Sequence, residues 1–313
     1  MTEATSTTTQ QVVRIEAPAK INLGLELLGK RPDGYHEIRT VMAMIDLVDH
    51  LSIERRANSG QDVSGVDLRG EQNLIAVARD AYSVASGVCR PVHIDVTKHI
   101  PIGAGLGGAS TDAAATLMGL DALTPPDRRL SAEQLATAAA SVGSDVPFFL
   151  GSPLALASGT GATIAPLPLM TVSWWVLLVS PPIELPRKTA TLYGMIDAAD
   201  FTDGTRTDEL MADLTEQRCP AFGPELLANP FRQAWNRLGD PISPLEQSLI
   251  AAGATWTALS GAGPTVYTLV DDPERAGLIV ERLRTRIPAT VAINLVPLRS
   301  RSMRIEPPHA TAP

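Results

Sequence analysis

The chain has 313 residues, 44% of them hydrophobic and 19% charged, with a net charge of −8. This is the make-up of a folded globular protein of one or two domains, and its acidic balance speaks against nucleic-acid binding. No apolar run reaches the roughly 18 residues that a membrane span needs, and Cys89 and Cys219, without zinc spacing, fit free thiols in a reducing compartment.

Residues 1–10 read as a frayed tail without the basic and apolar regions of a signal peptide, so a cytoplasmic location is expected. Residues 12–16 and 20–28 read as strands. In the second, Ile21, Leu23, Leu25 and Leu27 alternate with Lys20, Asn22, Gly24 and Glu26, which predicts one buried and one polar face. Arg31-Pro32-Asp33-Gly34 is a turn, followed by strands at 36–47 and 51–54 and a polar loop at 57–71. The spacing predicts a helix over 73–86 and a strand over 92–96. A second helix is expected at 113–120. Ser131 and Gln134 form a capping box for a third, running to Ala140. A small hairpin fits 153–164.

Prolines at 166, 168, 181, 182 and 186 bracket a strand at 172–179 and place a domain boundary near 166. Beyond it come a helix at 189–199, an acidic loop at 200–219, and helices at 224–239 and 243–252. Strands at 255–259 and 265–270 flank Ser260-Gly261-Ala262-Gly263-Pro264. Asp272-Pro273 caps a helix to Arg286, and a strand at 289–295 comes last. This order suggests a ferredoxin-like α+β domain. The expected division is a tail at 1–10, an N-terminal domain at 11–166, a C-terminal domain at 167–300 and a tail at 301–313.

Four glycines, Gly103, Gly105, Gly107 and Gly108, fall within six positions between a strand and an Ala-rich helix. Glycines let backbone N–H groups approach a ligand, and the helix start adds unpaired donors and a positive dipole end. Together they point to a phosphate site. Gly103, Gly105 and Gly108 match G-x-G-x-x-G, but the acidic residue of a dinucleotide fold is missing downstream. Walker A spacing also fits, except that Ala109 stands where the lysine belongs, so a cation must come from elsewhere.

Three segments, Ala17–Leu23, Pro101–Thr111 and Leu259–Thr265, in this order resemble the GHMP kinases of small metabolites. Arg31–His36 and Gly143–Pro147 resemble the branch acting on a cytidyl-diphosphate methylerythritol in isoprenoid synthesis. The likeness runs over about residues 12–300. Many relatives carry a third glycine at Ala109, whose methyl group is a small change. The resemblance implies an N-terminal domain like domain 2 of ribosomal protein S5 and a ferredoxin-like C-terminal domain. It implies ATP and Mg²⁺ as cofactors and a small-molecule substrate as partner; composition speaks against a membrane or nucleic-acid partner, and no protein partner is inferred.

The implied ATP site is the backbone of Pro101, Ile102, Gly103, Ala104, Gly105, Leu106, Gly107, Gly108 and Ala109 with the hydroxyls of Ser110 and Thr111. Ser110 is the candidate Mg²⁺ contact. Lys20, on the polar face beside Asn22, is the candidate for the missing cation; the alternative is a surface lysine at a strand start. Asp145 is the candidate general base, or the N-cap that Asp before Val-Pro suggests. Tyr35 and His36 are expected at the cytosine, with Tyr193 as a second aromatic wall; the competing roles are hairpin flanks and a core tyrosine. Asn73 is assigned to adenine or to a helix cap, and Lys98 to the nucleotide or to solvent. Asn22, Gly261 and Gly263 complete the substrate side, and the site is expected in the cleft between the domains. Other readings are a related kinase of homoserine, mevalonate or a sugar, a nucleotide sensor on the same fold, and a dinucleotide oxidoreductase.

Overall fold

A computed structural model describes residues 11–56, 62–64, 73–89 and 91–310; the expected N-terminal tail, most of the loop at 57–71 and residues 311–313 lie outside them. The first part of the chain forms β1 (Gln11–Lys30), β2 (His36–Arg55), β3 (Asp62–Ser64), α1 (Leu74–Ser86), β4 (Val92–Thr97), α2 (Gly108–Leu123), α3 (Ala132–Val142), β5 (Leu154–Gly159) and β6 (Thr163–Pro166). The second part forms β7 (Trp175–Ser180), α4 (Lys188–Tyr193), α5 (Thr205–Thr215), α6 (Phe231–Arg237), α7 (Ser243–Ala252), β8 (Ala258–Leu259), β9 (Val266–Val270), α8 (Pro273–Arg284) and β10 (Ala292–Pro297). Two short strands, β11 (Arg304–Ile305) and β12 (His309–Ala310), return to pair with β1.

The second sheet is antiparallel in the order β10-β7-β9-β8, the ferredoxin-like arrangement that the element order predicts. The first sheet is built on the long β1–β2 hairpin. Each expected pair of strands here is a single strand of 20 residues, bent by a register shift between Pro18 and Ala19. That shift decides where the candidate residues point. Residues directly opposite in a sheet share a face. Val13 and Ile15 oppose Ile53 and Leu51 in the core under the N-terminal helices. Past the shift, it is Lys20 and Asn22 that oppose members of that core, Met44 and Met42. Ala19, Ile21 and Leu23 now face the opposite way, into a second core shared with Val176, Leu178 and Tyr267 of the C-terminal sheet. The expected solvent-facing polar side therefore does not exist: Lys20 and Asn22 are only 4% and 3% exposed.

A further irregularity sits at Gly24, whose φ of +73° suits glycine. A Cβ there would lie 2.9 Å from the Leu226 carbonyl oxygen, so the glycine lets the C-terminal domain pack onto β1, where Leu25 N–H donates to Ala228 O at 3.0 Å.

Several elements differ from expectation. The helix after the glycine loop starts at Gly108, not at 113, because the loop's last turn is already helical. The acidic segment at 200–219 contains α5, held by Leu210 and Leu214, one turn apart and buried. The helix expected at 189–199 stops at Tyr193, and the one at 224–239 shrinks to α6. The expected C-terminal tail supplies β11 and β12, and just before it the buried Arg299 bonds Asp46 at 2.9 Å and Glu16 at 3.2 Å.

Tyr267, fully buried, donates its hydroxyl to the Asn22 carbonyl at 2.6 Å and so ties the two sheets beside Lys20. Its pKa is raised by burial, so the proton stays on the oxygen. Tyr267→Phe should lower unfolding stability by about 1–3 kcal/mol, because a buried carbonyl loses its donor. Urea denaturation checks this; an unchanged midpoint would remove the bond from the interface.

Candidate active site

A loop that presents N–H groups to an anion must dispose of its carbonyls elsewhere. Between Gly103 and Gly107 every carbonyl has a donor. Gly103 O accepts from Lys188 Nζ at 2.5 Å, Ala104 O from Thr265 N at 3.3 Å, and Gly105 O from Ser260 Oγ at 3.0 Å. Leu106 O accepts from Lys20 N at 2.9 Å and Gly107 O from Thr111 N at 2.9 Å. The N–H groups of residues 103–110 find no acceptor among the described residues. Gly103, Gly105 and Gly107 have φ of +68°, +83° and +73°, which favours glycine at all three. Space also requires glycine: a Cβ on Gly105 would lie 2.3 Å from Ser260 O, and one on Gly107 2.9 Å from Phe149 Cζ. The free donors gather at the start of α2, where its dipole adds positive potential.

Lys20 lies at the foot of this loop. Its Nζ donates to Asn22 Oδ1 at 2.6 Å and stands 3.3 Å from Asp145 Oδ2. Asn22 is held in turn by its Nδ2 bond to Thr40 Oγ1 at 2.9 Å. Asp145 sits between α3 and a 3₁₀ turn at Pro147–Leu150; the cap position there is Val146, with no side-chain cap bond, so the capping role is not the one it plays. The Lys20 side chain is 5% exposed and that of Asp145 34%, so the pair opens on the carboxylate side. Gly261 covers the amine: a Cβ there would lie 3.1 Å from Lys20 Nζ. Gly263 instead meets Leu259 and Trp235. The turn that carries both is fixed by Asn229 Nδ2, which donates to Leu259 O and Gly261 O.

An aromatic cluster adjoins the pair. His36 stacks on Tyr193 with ring centres 4.8 Å apart and planes at 18°, and Tyr193 meets Phe231 edge-on at 4.9 Å. Burial, then the nearby Lys30 charge, lowers the His36 pKa and favours a neutral imidazole. Burial, then the charge of Asp145, raises the Tyr193 pKa, which places the cluster within electrostatic reach of that carboxylate. The structure thus joins His36 to Tyr193 across the domains. The imidazole covers one face of the Tyr193 ring. Tyr35 is 65% exposed.

The profile of the GHMP kinases N terminal domain matches residues 73–152, and that of the GHMP kinases C terminal matches residues 220–289. A 4-diphosphocytidyl-2-C-methyl-D-erythritol kinase of Shouchella clausii is 37% identical over 285 residues, 90% of this chain and 94% of its own. One from Symbiobacterium thermophilum is 38% identical, covering 87% and 95%. The chain belongs to the GHMP kinases. A crystal structure of a 4-(cytidine 5'-diphospho)-2C-methyl-D-erythritol kinase superposes with a TM-score of 0.73 at 30% identity, covering 90% of this chain and 98% of that one. A homoserine kinase from Cytophaga hutchinsonii, at 16% identity, reaches the same TM-score and shares the fold.

Within this GHMP kinase one expected contact, that of Lys98, is engaged otherwise, and Asn73 takes the second of its two expected roles. Lys98 does not stand free for a nucleotide: its ammonium pairs with Asp49 and, at 2.6 Å, with Asp112. Asp49 also accepts the N–H groups of His99 and Ile100 and so anchors the strand end that leads into the loop. Thr111 is fully buried; its N–H bonds Gly107 O, and its hydroxyl has no hydrogen-bond partner among the described residues. Asn73 is the N-cap of α1, its Oδ1 accepting from Ile75 N and Ala76 N. Ser110 remains half-buried on the first turn of α2, and Ala109 is exposed, which accommodates its methyl group. Sequence reasoning missed Asp49, Asp112, Thr40, Ser260 and Lys188. Asp112 directly follows the glycine motif and Ser260 lies within the Leu259–Thr265 segment; for Asp49, Thr40 and Lys188 no local signal exists.

Burial, opposed by Lys98 and reinforced by Asp49, pushes the Asp112 carboxyl up to about 7. A raised folded pKa means that ionisation opposes folding. Stability from this group is complete below the ordinary carboxylate pKa and falls as pH rises through about 7. Urea midpoints should therefore drop between pH 5 and pH 8, and Asp112→Asn should flatten that slope. Equal slopes in both proteins would show that Asp112 does not titrate there.

Proposed function

We propose that the chain transfers the γ-phosphoryl group of ATP to the 2-hydroxyl of 4-diphosphocytidyl-2-C-methyl-D-erythritol, a step of the methylerythritol phosphate route to isoprenoids. The observation that carries this reading is the Lys20–Asp145 pair at 3.3 Å beneath a loop of free N–H donors. Relatives over most of the chain bear the name of that kinase. A cytoplasmic location belongs to the same reading, and no helix among the described residues is long and apolar enough to cross a membrane.

The transferring phosphoryl group asks for positioning and for charge stabilisation more than for covalent chemistry. The loop N–H groups hold the triphosphate. Lys20 stabilises the charge that develops on the γ-phosphoryl oxygens and polarises the acceptor hydroxyl. Asp145 takes the hydroxyl proton as the oxygen bonds to phosphorus and ADP leaves. Asn22 keeps Lys20 turned toward its carboxylate. Among the described residues no cluster of three or more His, Cys, Asp or Glu side chains is arranged to hold a metal. That fits Mg²⁺, which is commonly held by phosphate oxygens and water with few protein ligands; Ser110 is the hydroxyl beside it. When bound, the ion neutralises phosphate charge.

For the acceptor, the exposed ring of Tyr35 stacks on the cytosine and the neutral His36 meets its hydrogen-bonding edge. Tyr193, stacked on the imidazole, is the second aromatic side chain of this pocket.

Turnover of ATP with the cytidyl substrate, with phosphorus NMR locating the new monoester, tests the reaction; ATP hydrolysis without a phosphorylated alcohol would end this reading. Asp145→Asn should lower kcat by about 10²-fold or more, and near-normal turnover would remove Asp145 as the base. Tyr35→Ala should raise KM for the cytidyl substrate at least about tenfold while KM for ATP stays put. Equal rises would take Tyr35 out of the base pocket.

A further inference from the structure

Of the five donors that turn the phosphate-loop carbonyls, four are main-chain N–H groups or a serine hydroxyl; the fifth is ionised and comes from a separate short helix. Lys188 opens α4 and sends its ammonium to two backbone carbonyls at once, Gly103 O at 2.5 Å and Gly263 O. The first belongs to the phosphate loop and the second to the C-terminal glycine turn that covers Lys20. We propose that Lys188 is a positioning residue for the nucleotide: it draws the Gly103 carbonyl away from the phosphate site and fixes the two glycine loops against each other. The inference rests on reading residues 103–110 as the triphosphate cradle, but not on the identity of the acceptor alcohol.

The physical case is one of peptide orientation. Gly103 has φ of +68° with open space around its Cα, so sterics alone do not hold its peptide groups. A carbonyl that swings toward the cradle sets its lone pairs against phosphate oxygens and withdraws a donor. A charged donor on the outer side opposes that rotation more strongly than a neutral one would. The neighbouring carbonyls need no such help. Those of Gly105 and Leu106 are pinned by a close crossing at Ser260 and by β1, and those of Ala104 and Gly107 by main-chain N–H groups. Gly103 sits at the open end of the loop, beside the exposed Ile102.

The other end of α4 carries Tyr193, stacked on His36. One short helix therefore touches both the donor cradle and the acceptor's base pocket.

Titration calorimetry of the full chain with a non-hydrolysable ATP analogue and with adenosine tests the role. Lys188→Met keeps most of the apolar stem and removes the ammonium. It should weaken binding of the triphosphate about tenfold or more, leave adenosine affinity unchanged, and leave Tm within about 2 °C. Lys188→Arg should restore most of the loss. Unchanged triphosphate affinity, equal losses for triphosphate and adenosine, or a loss that arginine does not restore would each overturn the proposal. No acceptor is present in these titrations, so failure of the cytidyl assignment would leave their outcome untouched.

Discussion

A peptide group carries a donor and an acceptor together, and a phosphate wants only the first. The architecture around the glycine loop answers that constraint. The carbonyls from Gly103 to Gly107 are taken by β1, by the first turn of α2, by the Ser260–Thr265 turn and by α4. Two of those sources lie in the C-terminal domain. The cradle is therefore a product of both domains, although its sequence lies wholly in one. The glycines serve the same end. They let the chain take left-handed backbone conformations and let Ser260 and Phe149 approach to distances that any Cβ would forbid.

Two buried lysines approach this loop, and their surroundings divide the work. Lys98 faces two carboxylates, Asp49 and Asp112, both nearly inaccessible. Burial in this dry site, with the Asp49 charge adding to it and Lys98 opposing it, is what raises Asp112. Such a group fastens the loop's entry. Lys20 faces one carboxylate that opens toward solvent, and its amide partner Asn22 brings no charge. An incoming phosphate can therefore share the Lys20 ammonium without first breaking a saturated ion cluster. With Ala109 in the position of a Walker lysine, Lys20 is on the proposed reading the cation that the loop itself lacks, and its own N–H ties down Leu106 O.

The residues proposed for the chemistry were legible because their types and spacing are those a phosphoryl transfer asks for: the glycine loop, Lys20 with Asn22, and Asp145. The helix caps at Ser131 and Asp272 were legible because capping is local. What sets the geometry was not. Strict alternation along β1 suggests one wet face, and nothing local announces the register shift at Pro18 that turns Lys20 into the protein instead. The segment 200–219 reads as loop from its charges, yet Leu210 and Leu214 find a core to cover because β1 and β2 lie beneath α5. Strands β11 and β12 have two residues each and exist only as partners of β1. Lys188, set among prolines, has the sequence context of a surface lysine; its acceptors are carbonyls from two remote loops, which no pattern of side chains encodes.

The interface between the domains also decides what can move when ligands arrive. Hinge closure is the ordinary expectation for two domains that share a small polar contact. Here two apolar cores run across the boundary, one joining Ile21 and Leu23 to Val176 and Tyr267, the other joining Leu25 and Leu27 to Leu177 and Phe231. Backbone bonds from Leu25 to Ala228 and from Thr265 to Ala104 cross it as well, and Glu26, buried in β1, accepts both the N–H and the hydroxyl of Thr207. Opening a hinge would expose those cores and strand a buried carboxylate, a cost of several kcal/mol that the binding of a small ligand would have to repay. Adjustment falls instead to the side chains at the rim: Tyr35, already in solvent, and His36, held by stacking on Tyr193 without a strong bond of its own. On the proposed reading the donor cradle is thus built before its ligand arrives, while the base pocket keeps its side chains at the rim.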